Sequence, residues 1–284
     1  MSAKSINSSI KTLLTGEVVD KKEIILNTII EEYLKHSMPI GSNELREKLD
    51  IDISPSTIRV YFKKLSYEGI LRQLHTSSGR VPTWEALKRY WIERFSDIDE
   101  LDIGSSVYEL KKWIKEFDVY CILQYKDESK LSEIINVDDR FLLIIFQNSS
   151  VVLEYNEKVE RFLTNLIGYD INKIKNISIN VGLYELRKKI EQLLEANIVL
   201  KEKKDVLYEM SKYYDYCNIN IENFMHSSIF EKVENGIYFE ELVPKGYMAM
   251  KHEAKIDKKE VNFLCVGKVD NSYKEFLNEI CTRR

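Results

Sequence analysis

The chain has 284 residues, 44% of them hydrophobic and 31% charged, which is enough for two or three folded domains and too apolar for a disordered chain. A net charge of −4, taken whole, does not mark a nucleic-acid binder. The four cysteines (Cys121, Cys217, Cys265, Cys281) are far apart and make no CxxC pair. That fits reduced thiols in a cytoplasmic protein better than a disulfide framework or a zinc site. The longest apolar run, Phe141–Phe146, is too short to span a bilayer, and the N-terminus lacks the apolar stretch of a secretory signal.

Residues 1–20 are polar and without a clear period, and read as a loose arm or a short extra helix. Lys21 to His36 reads as a helix with Ile25, Thr28, Ile29 and Tyr33 on one face. Met38-Pro39-Ile40-Gly41 breaks it, and Ser42 is placed to cap a second helix with Leu45 and Leu49 inward. A third helix starts at Ser54, with Pro55 at its first position. Ile58, Phe62 and Leu65 face the core, leaving Ser56, Thr57, Arg59, Val60, Lys63 and Lys64 on the other faces. Gly69 ends this helix. Ile70–Leu74 then turns through His75–Arg80 and returns at Val81, as a small hairpin with a basic tip.

Three short helices followed by a hairpin have the size and order of a winged helix-turn-helix. The charge distribution agrees. Residues 1–96 hold 15 Lys and Arg against 12 Asp and Glu, and the remainder 27 against 34. From Ile53 to Arg94 the count is eight against three, so positive charge gathers around the hairpin.

Thr83–Phe95 reads as a further helix, Asp97–Ile103 as an acidic linker, and Ser105 as the cap of a helix carrying Val107, Leu110, Trp113, Ile114 and Phe117. Four strand patterns follow, at Val119–Tyr125, Ser132–Val137, Phe141–Gln147 and Val151–Tyr155. Helices at Glu157–Leu166, Gly182–Ala196 and Lys203–Tyr214 come next. Strands at Gly236–Glu240, Tyr247–Lys255 and Val261–Val269 and a helix from Ser272 to Cys281 close the chain. The expected fold is α+β: a winged-helix domain over 1–96, then an α+β domain over 97–284 with a helical segment inserted at roughly 183–230.

Catalytic signatures are missing. His36, His75, His226 and His252 form no HExxH spacing, and there is no GxSxG, P-loop or GxGxxG. No cofactor or metal is called for, and the chain reads as a binding protein rather than an enzyme. Tyr213-Tyr214-x-Tyr216 reads as packing or dimer contact.

Several runs together resemble one family. Pro39-Ile40-Gly41-Ser42, Ser54-Pro55-Ser56-Thr57-Ile58-Arg59, Gly69-Ile70-Leu71 and Arg89-Tyr90 are similar to motifs of the heat-inducible transcription repressor family HrcA. So, above all, is His75-Thr76-Ser77-Ser78-Gly79-Arg80-Val81-Pro82-Thr83, whose HTS-x-GR-x-P pattern a generic winged helix does not share. Val60 stands where the family usually has Asn, Ala86 where Gly is common, and Trp91 replaces a Tyr. Near the end, Phe263-Leu264-Cys265-Val266-Gly267 with Tyr273 resembles the family's closing strand but lacks the Pro, Arg and Met of its GPxRMxY motif.

The resemblance implies a winged helix, a GAF-like α+β domain, and an inserted dimerisation segment. It implies a homodimer on double-stranded DNA carrying an inverted-repeat operator (the CIRCE element) upstream of chaperonin operons, with the chaperonin GroEL as the partner that keeps the repressor active. On a recognition helix, Arg59 can pair with guanine or phosphate, or stay a surface or intradomain charge. Ser56 and Thr57 suit phosphates or base edges near amides that favour an anion. Lys63 and Lys64 would neutralise phosphates. Val60 cannot read adenine as Asn would, but can touch a thymine methyl. In the wing, His75 and Thr76 contact DNA or brace the turn, Ser77-Ser78-Gly79 permits a tight tip, and Arg80 follows it; the bland alternative for Gly79 is that it serves only a positive φ. Two alternatives stand beside this: a winged-helix regulator sensing a small ligand in its C-terminal domain, and a winged-helix protein-interaction module with no operator.

Overall fold

A computed structural model describes residues 20–75, 78–95, 98, 100–213 and 221–282. By packing, the chain forms two units. One holds the residues up to 95 together with Lys268–Ser272, and the other holds 98–267 and the residues from Tyr273 onward.

The first unit is built from α1 (Lys21–His36), α2 (Ser42–Lys48), α3 (Pro55–Tyr67), the strands β1 (Leu71–Arg72) and β2 (Val81–Pro82), and α4 (Trp84–Phe95). Asp20 caps α1 by accepting the Lys22 N–H, and Ile25, Ile29, Ile30 and Leu34 are its buried stripe. Tyr33 and Thr28, expected on the inward face, are only half-buried. These residues meet Ile40, Leu45, Leu49, Ile53, Ile58, Phe62, Leu65 and Leu71 in one core. β1 and β2 pair antiparallel, Leu71 opposite Pro82 and Arg72 opposite Val81. Ile40 and Arg80 add a bridge, each N–H donating to the other's carbonyl at 3.0 and 2.9 Å.

The segment Lys268–Ser272 packs with this unit although residues on both sides of it in sequence belong to the second unit. The Trp91 Nε1–H donates to the Val269 carbonyl at 2.7 Å, and the Ser272 hydroxyl to the Leu34 carbonyl at 2.6 Å. Trp91 is fully buried, stacked on Phe95 and edge-on to Tyr90.

The second unit starts with β3 (Glu100–Ile103), α5 (Val107–Glu116) and β4 (Tyr120–Tyr125). Residues expected as a linker are thus partly a strand. Leu101 and Ile103 alternate inward, and β3 pairs in parallel with β10 (Tyr247–Ile256). Ser106, not Ser105, caps α5, in a capping box with Glu109. The main sheet runs in the order β3-β10-β11-β4-β8, with β8 at Ile198–Glu202, β11 at Lys259–Lys268, and β9 (Gly236–Tyr238) also pairing with β10. Asp257 and Lys258, both at positive φ, make the two-residue turn from β10 to β11. Cys121 and Cys265 face each other across β4 and β11, fully buried, and burial pushes the Cys121 thiol up. Both serve the core, while Cys217 lies outside the described residues.

The chain leaves the main sheet twice. Between β4 and β8 it builds a second sheet of β5 (Leu131–Val137), β6 (Phe141–Phe146) and β7 (Ser150–Glu154), backed by α6 (Glu157–Thr164), α7 (Ile171–Asn180) and α8 (Tyr184–Ala196). Sequence periodicity missed α7 and β8. Between β8 and β9 the chain forms α9 (Lys204–Ser211) and the single turns α10 (Ile221–Phe224) and α11 (Ile229–Lys232), which share a core with Tyr120, Ile122, Leu264 and Val266. α12 (Tyr273–Ile280) buries Tyr273, Phe276, Leu277 and Ile280.

Candidate nucleic-acid interface

The predicted site residues gather on α3 and the β1–β2 ribbon. The Ser54 hydroxyl accepts the Thr57 N–H at 3.2 Å and lies within hydrogen-bond distance of the Ser56 and Thr57 hydroxyls, at 2.7 and 2.9 Å. With Pro55 at the first position and Thr57 capped, the first turn leaves only the Ser56 N–H open, so it offers less to an anion than three free amides would. At the other end, Gly69 at φ +74°, with Ile70 N–H to Leu65 O at 2.9 Å and Gly69 N–H to Ser66 O at 3.1 Å, closes the helix in a Schellman motif. Both ends of α3 are therefore fixed.

Ile58, Phe62 and Leu65 are buried, and Ser56, Thr57, Arg59, Val60, Lys63 and Lys64 are all exposed. Val60 is 64% exposed. Tyr67, which sequence reasoning did not single out, is 95% exposed. Its signal was the spacing: it follows Val60 by seven residues and Lys63 by four. Arg72, also not singled out, is exposed on β1, on the face away from the buried Leu71.

Arg59 and Arg80 turn out to be tied within the unit. The Arg59 Nε–H donates to the Ser42 hydroxyl at 3.1 Å, so Ser42 is the first helical residue and an acceptor for Arg59, while Gly41 takes the cap position. The Arg80 Nε–H reaches the Ser66 hydroxyl at 3.3 Å, and its guanidinium lies 5.8 Å from the centre of the Phe62 ring. Arg80 thereby locks the ribbon to α3.

Gly79 does not supply positive φ. A Cβ there would lie 2.2 Å from the Ile40 oxygen, so glycine is needed for backbone approach. The ribbon tip is held by Ser78, whose N–H and hydroxyl both donate to the His75 carbonyl at 2.9 and 2.7 Å, while its hydroxyl also accepts the His75 N–H. The His75 ring is exposed at the tip. Thr76 and Ser77 lie outside the described residues.

The electrostatics single out one face. From Ile53 to Pro82 the one acid is Glu68, and Lys22 neutralises it at 2.6 Å. Several other cations of the unit are paired, among them Lys48 with Glu32 at 3.4 Å, Arg89 with Glu93 at 2.6 Å and Arg94 with Glu31 at 2.9 Å. Lys63 and Lys64 have no ion pair or hydrogen bond among the described residues. An exposed helix face of hydroxyls, a branched apolar side chain and free ammonium groups, beside a basic ribbon, has the chemistry of a polyanion-binding surface. No cluster of three metal-ligating side chains occurs among the described residues, and none of their helices is long and apolar enough to cross a membrane.

A family model of the HrcA C-terminal domain matches residues 91–284. The chain belongs to the HrcA family. Among HrcA relatives, the heat-inducible transcription repressor HrcA of Helicobacter pylori is 27% identical over 275 residues, covering 95% of this chain and 98% of its own length. The one from Mycoplasma capricolum is 27% identical over 245 residues, covering 78% and 70%. A crystal structure of a hypothetical protein aligns over 92% of this chain and 96% of its own at 19% identity, with a TM-score of 0.46. The runs that carried the HrcA resemblance meet in space: Pro39–Ser42 and Gly79–Arg80 join at the double bridge, and Ser42 holds Arg59.

Proposed function

We propose that this HrcA-family chain is a heat-inducible transcription repressor that binds double-stranded DNA through α3 and the β1–β2 ribbon. The observation that carries the reading is the exposed cationic face of α3, where Lys63 and Lys64 have no partner among the described residues, beside a ribbon that holds no acid between Leu71 and Pro82, with Glu68 at the end of α3 neutralised by Lys22. In this reading the first unit is a winged helix. The N-terminal half of α3 enters the major groove, with Ser56, Thr57, Arg59 and Val60 near base edges and phosphates. Lys63 and Lys64 neutralise phosphates, and His75, Thr76, Ser77 and Arg80 bring the ribbon to the backbone or the minor groove. Arg59 reaches the duplex from the flank of the helix, steadied by Ser42.

One such unit binds weakly and mostly through phosphates, so selective repression requires a dimer on an inverted repeat. The second unit, read as GAF-like, supplies it. We place the inserted dimerisation segment at residues 126–197 rather than 183–230, because β8 returns to the main sheet at Ile198. Its three-stranded sheet turns Ile135, Val137, Phe141 and Val152 outward at 37–45% exposure, with Leu143 and Ile145 between them. Such a contiguous apolar face suits burial against a second copy. Phe141→Glu is expected to convert a dimer to a monomer in sedimentation velocity, with operator binding lost in parallel; a variant that stays dimeric places the interface elsewhere.

The family extends the reading to a cytoplasmic repressor of chaperonin operons acting on a CIRCE-type operator, kept active by GroEL. Footprinting of the full chain on DNA upstream of the chaperonin genes, with and without GroEL, tests it. Protection of an inverted repeat that strengthens with GroEL supports the reading, and uniform cleavage in both conditions refutes it.

A further inference from the structure

We infer that Lys63, Lys64 and Tyr67 form a phosphodiester clamp at the C-terminal end of α3, which grips one DNA backbone strand beyond the base-reading half of the helix. The inference rests on the DNA-binding reading above and adds a ligand subsite to it.

Three observations converge. Tyr67 is 95% exposed, the highest value among the large apolar and aromatic side chains of the described residues. Its ring and hydroxyl have no partner among the described residues, and neither do the two ammonium groups of Lys63 and Lys64. Lys22, Lys48, Arg89 and Arg94 of the same unit are ion-paired, whereas these three neighbouring groups at one helix end have no partner among the described residues.

Their helical positions bring them together. At 100° per residue, Lys63 and Lys64 lie about 40° and 60° to either side of Tyr67, one turn earlier. Side chains on a helix lean toward its N-terminus, so the Tyr67 ring is carried back over the turn that bears the two lysines. The phenol O–H can then donate to a phosphate oxygen whose charge the two ammonium groups balance. The ring edge offers an apolar wall to the adjoining deoxyribose.

The rest of the helix sets the direction. Ser56 and Val60 fall in line with Tyr67 along one stripe, and Val60 to Tyr67 spans about 10 Å of helix axis, roughly three base-pair steps. Arg59 lies about 80° off this stripe, on the flank held by Ser42. α3 is thus divided into a reading half and a gripping end. The Schellman closure at Gly69 holds that end rigid, and its backbone bonds occupy terminal carbonyls that would otherwise face a phosphate.

Tyr67→Phe removes only the hydroxyl, from a side chain that packs against nothing. Affinity is measured for the full chain on an inverted-repeat duplex and on a scrambled duplex across a salt series. Tyr67→Phe should lower affinity for both duplexes by roughly 3- to 10-fold, leaving their ratio and the salt slope unchanged, because a neutral donor releases no counterion. Lys63→Gln should lower the slope by about 0.9 per site for both duplexes. Ethylation interference should lose one phosphate per half-site in Tyr67→Phe.

If the wild-type chain separates the two duplexes but Tyr67→Phe binds both as the wild type does, the clamp is overturned while the repressor reading stands. A loss confined to the inverted repeat makes Tyr67 a base reader and also overturns the clamp. A wild-type chain that does not separate the duplexes at any salt overturns the reading beneath it.

Discussion

Gly79→Ala places a methyl group 2.2 Å from the Ile40 oxygen, 2.4 Å from its carbonyl carbon and 2.9 Å from the Gly41 nitrogen. All three are backbone atoms, so no rotamer change relieves the clash. Ordinary contact begins near 3.4 Å, and the ribbon must retreat by roughly 1 Å. The Ile40–Arg80 bridge, 3.0 and 2.9 Å, then opens, costing roughly 1–3 kcal/mol for two backbone hydrogen bonds. Arg80 also moves off Ser66 and Phe62, which brings the expected destabilisation of the unit to about 2–4 kcal/mol.

Gly41→Ala is the internal control. A Cβ at Gly41 meets nothing within 4 Å, and its cost should stay below about 1 kcal/mol. Native-state hydrogen exchange reports the unit directly, through the Ile40 and Arg80 amides, where a two-unit chain would blur a global melt. Both amides should lose protection in Gly79→Ala and keep it in Gly41→Ala. Equal protection in the two variants would refute the reasoning that backbone approach, not turn conformation, demands glycine at 79.

Arg59→Ala should weaken binding to the inverted repeat by about 1–3 kcal/mol and relax specificity, read as the ratio of dissociation constants on matched and scrambled duplexes. Trp91→Phe removes the donor to the Val269 carbonyl and should destabilise the first unit by about 1–3 kcal/mol, seen as faster exchange in α1 and α4. Burial alone would raise the Glu32 pKa, but hydrogen bonds and charge from Lys35 and Lys48 outweigh it and hold the carboxyl below its ordinary value. Its folded pKa being depressed, its stabilisation is complete above the unfolded pKa and is lost as pH falls through the folded value. Glu32→Gln should therefore flatten the acid limb of the first unit's stability profile, measured by urea titration at pH 7 and pH 3.5. A limb as steep as the wild type's would assign it to other carboxylates.

The order of elements in the first unit was legible because each was signalled locally. Ser54 with Pro55 announced α3, Gly69 its end, and the 58-62-65 spacing its buried face. Seven of the nine strands described in the second unit, all but β3 and β8, are legible in their β-branched runs to within a residue or two. What failed was set by partners distant in sequence. β3 looked like a linker because two of its four residues are acids, and only β10 makes it a strand. α7 interleaves Asn, Lys and Ser with its isoleucines, so its stripe was faint. Ser42 read as a cap because nothing local revealed that Arg59 would need its hydroxyl. The diagnostic ribbon run proved to be held together largely by Gly79 and Arg80, which lock Ile40 and Ser66. The face left free for a ligand is carried by Val60, Lys63, Lys64 and Tyr67.

The central claim is selective DNA recognition by the face of α3. Its most direct test is equilibrium binding of the full chain to an inverted-repeat duplex and to a scrambled one across a salt series. The account predicts falling affinity with salt for both, and a preference for the inverted repeat of at least about a thousand-fold at physiological salt. Equal affinities at every salt concentration would contradict it.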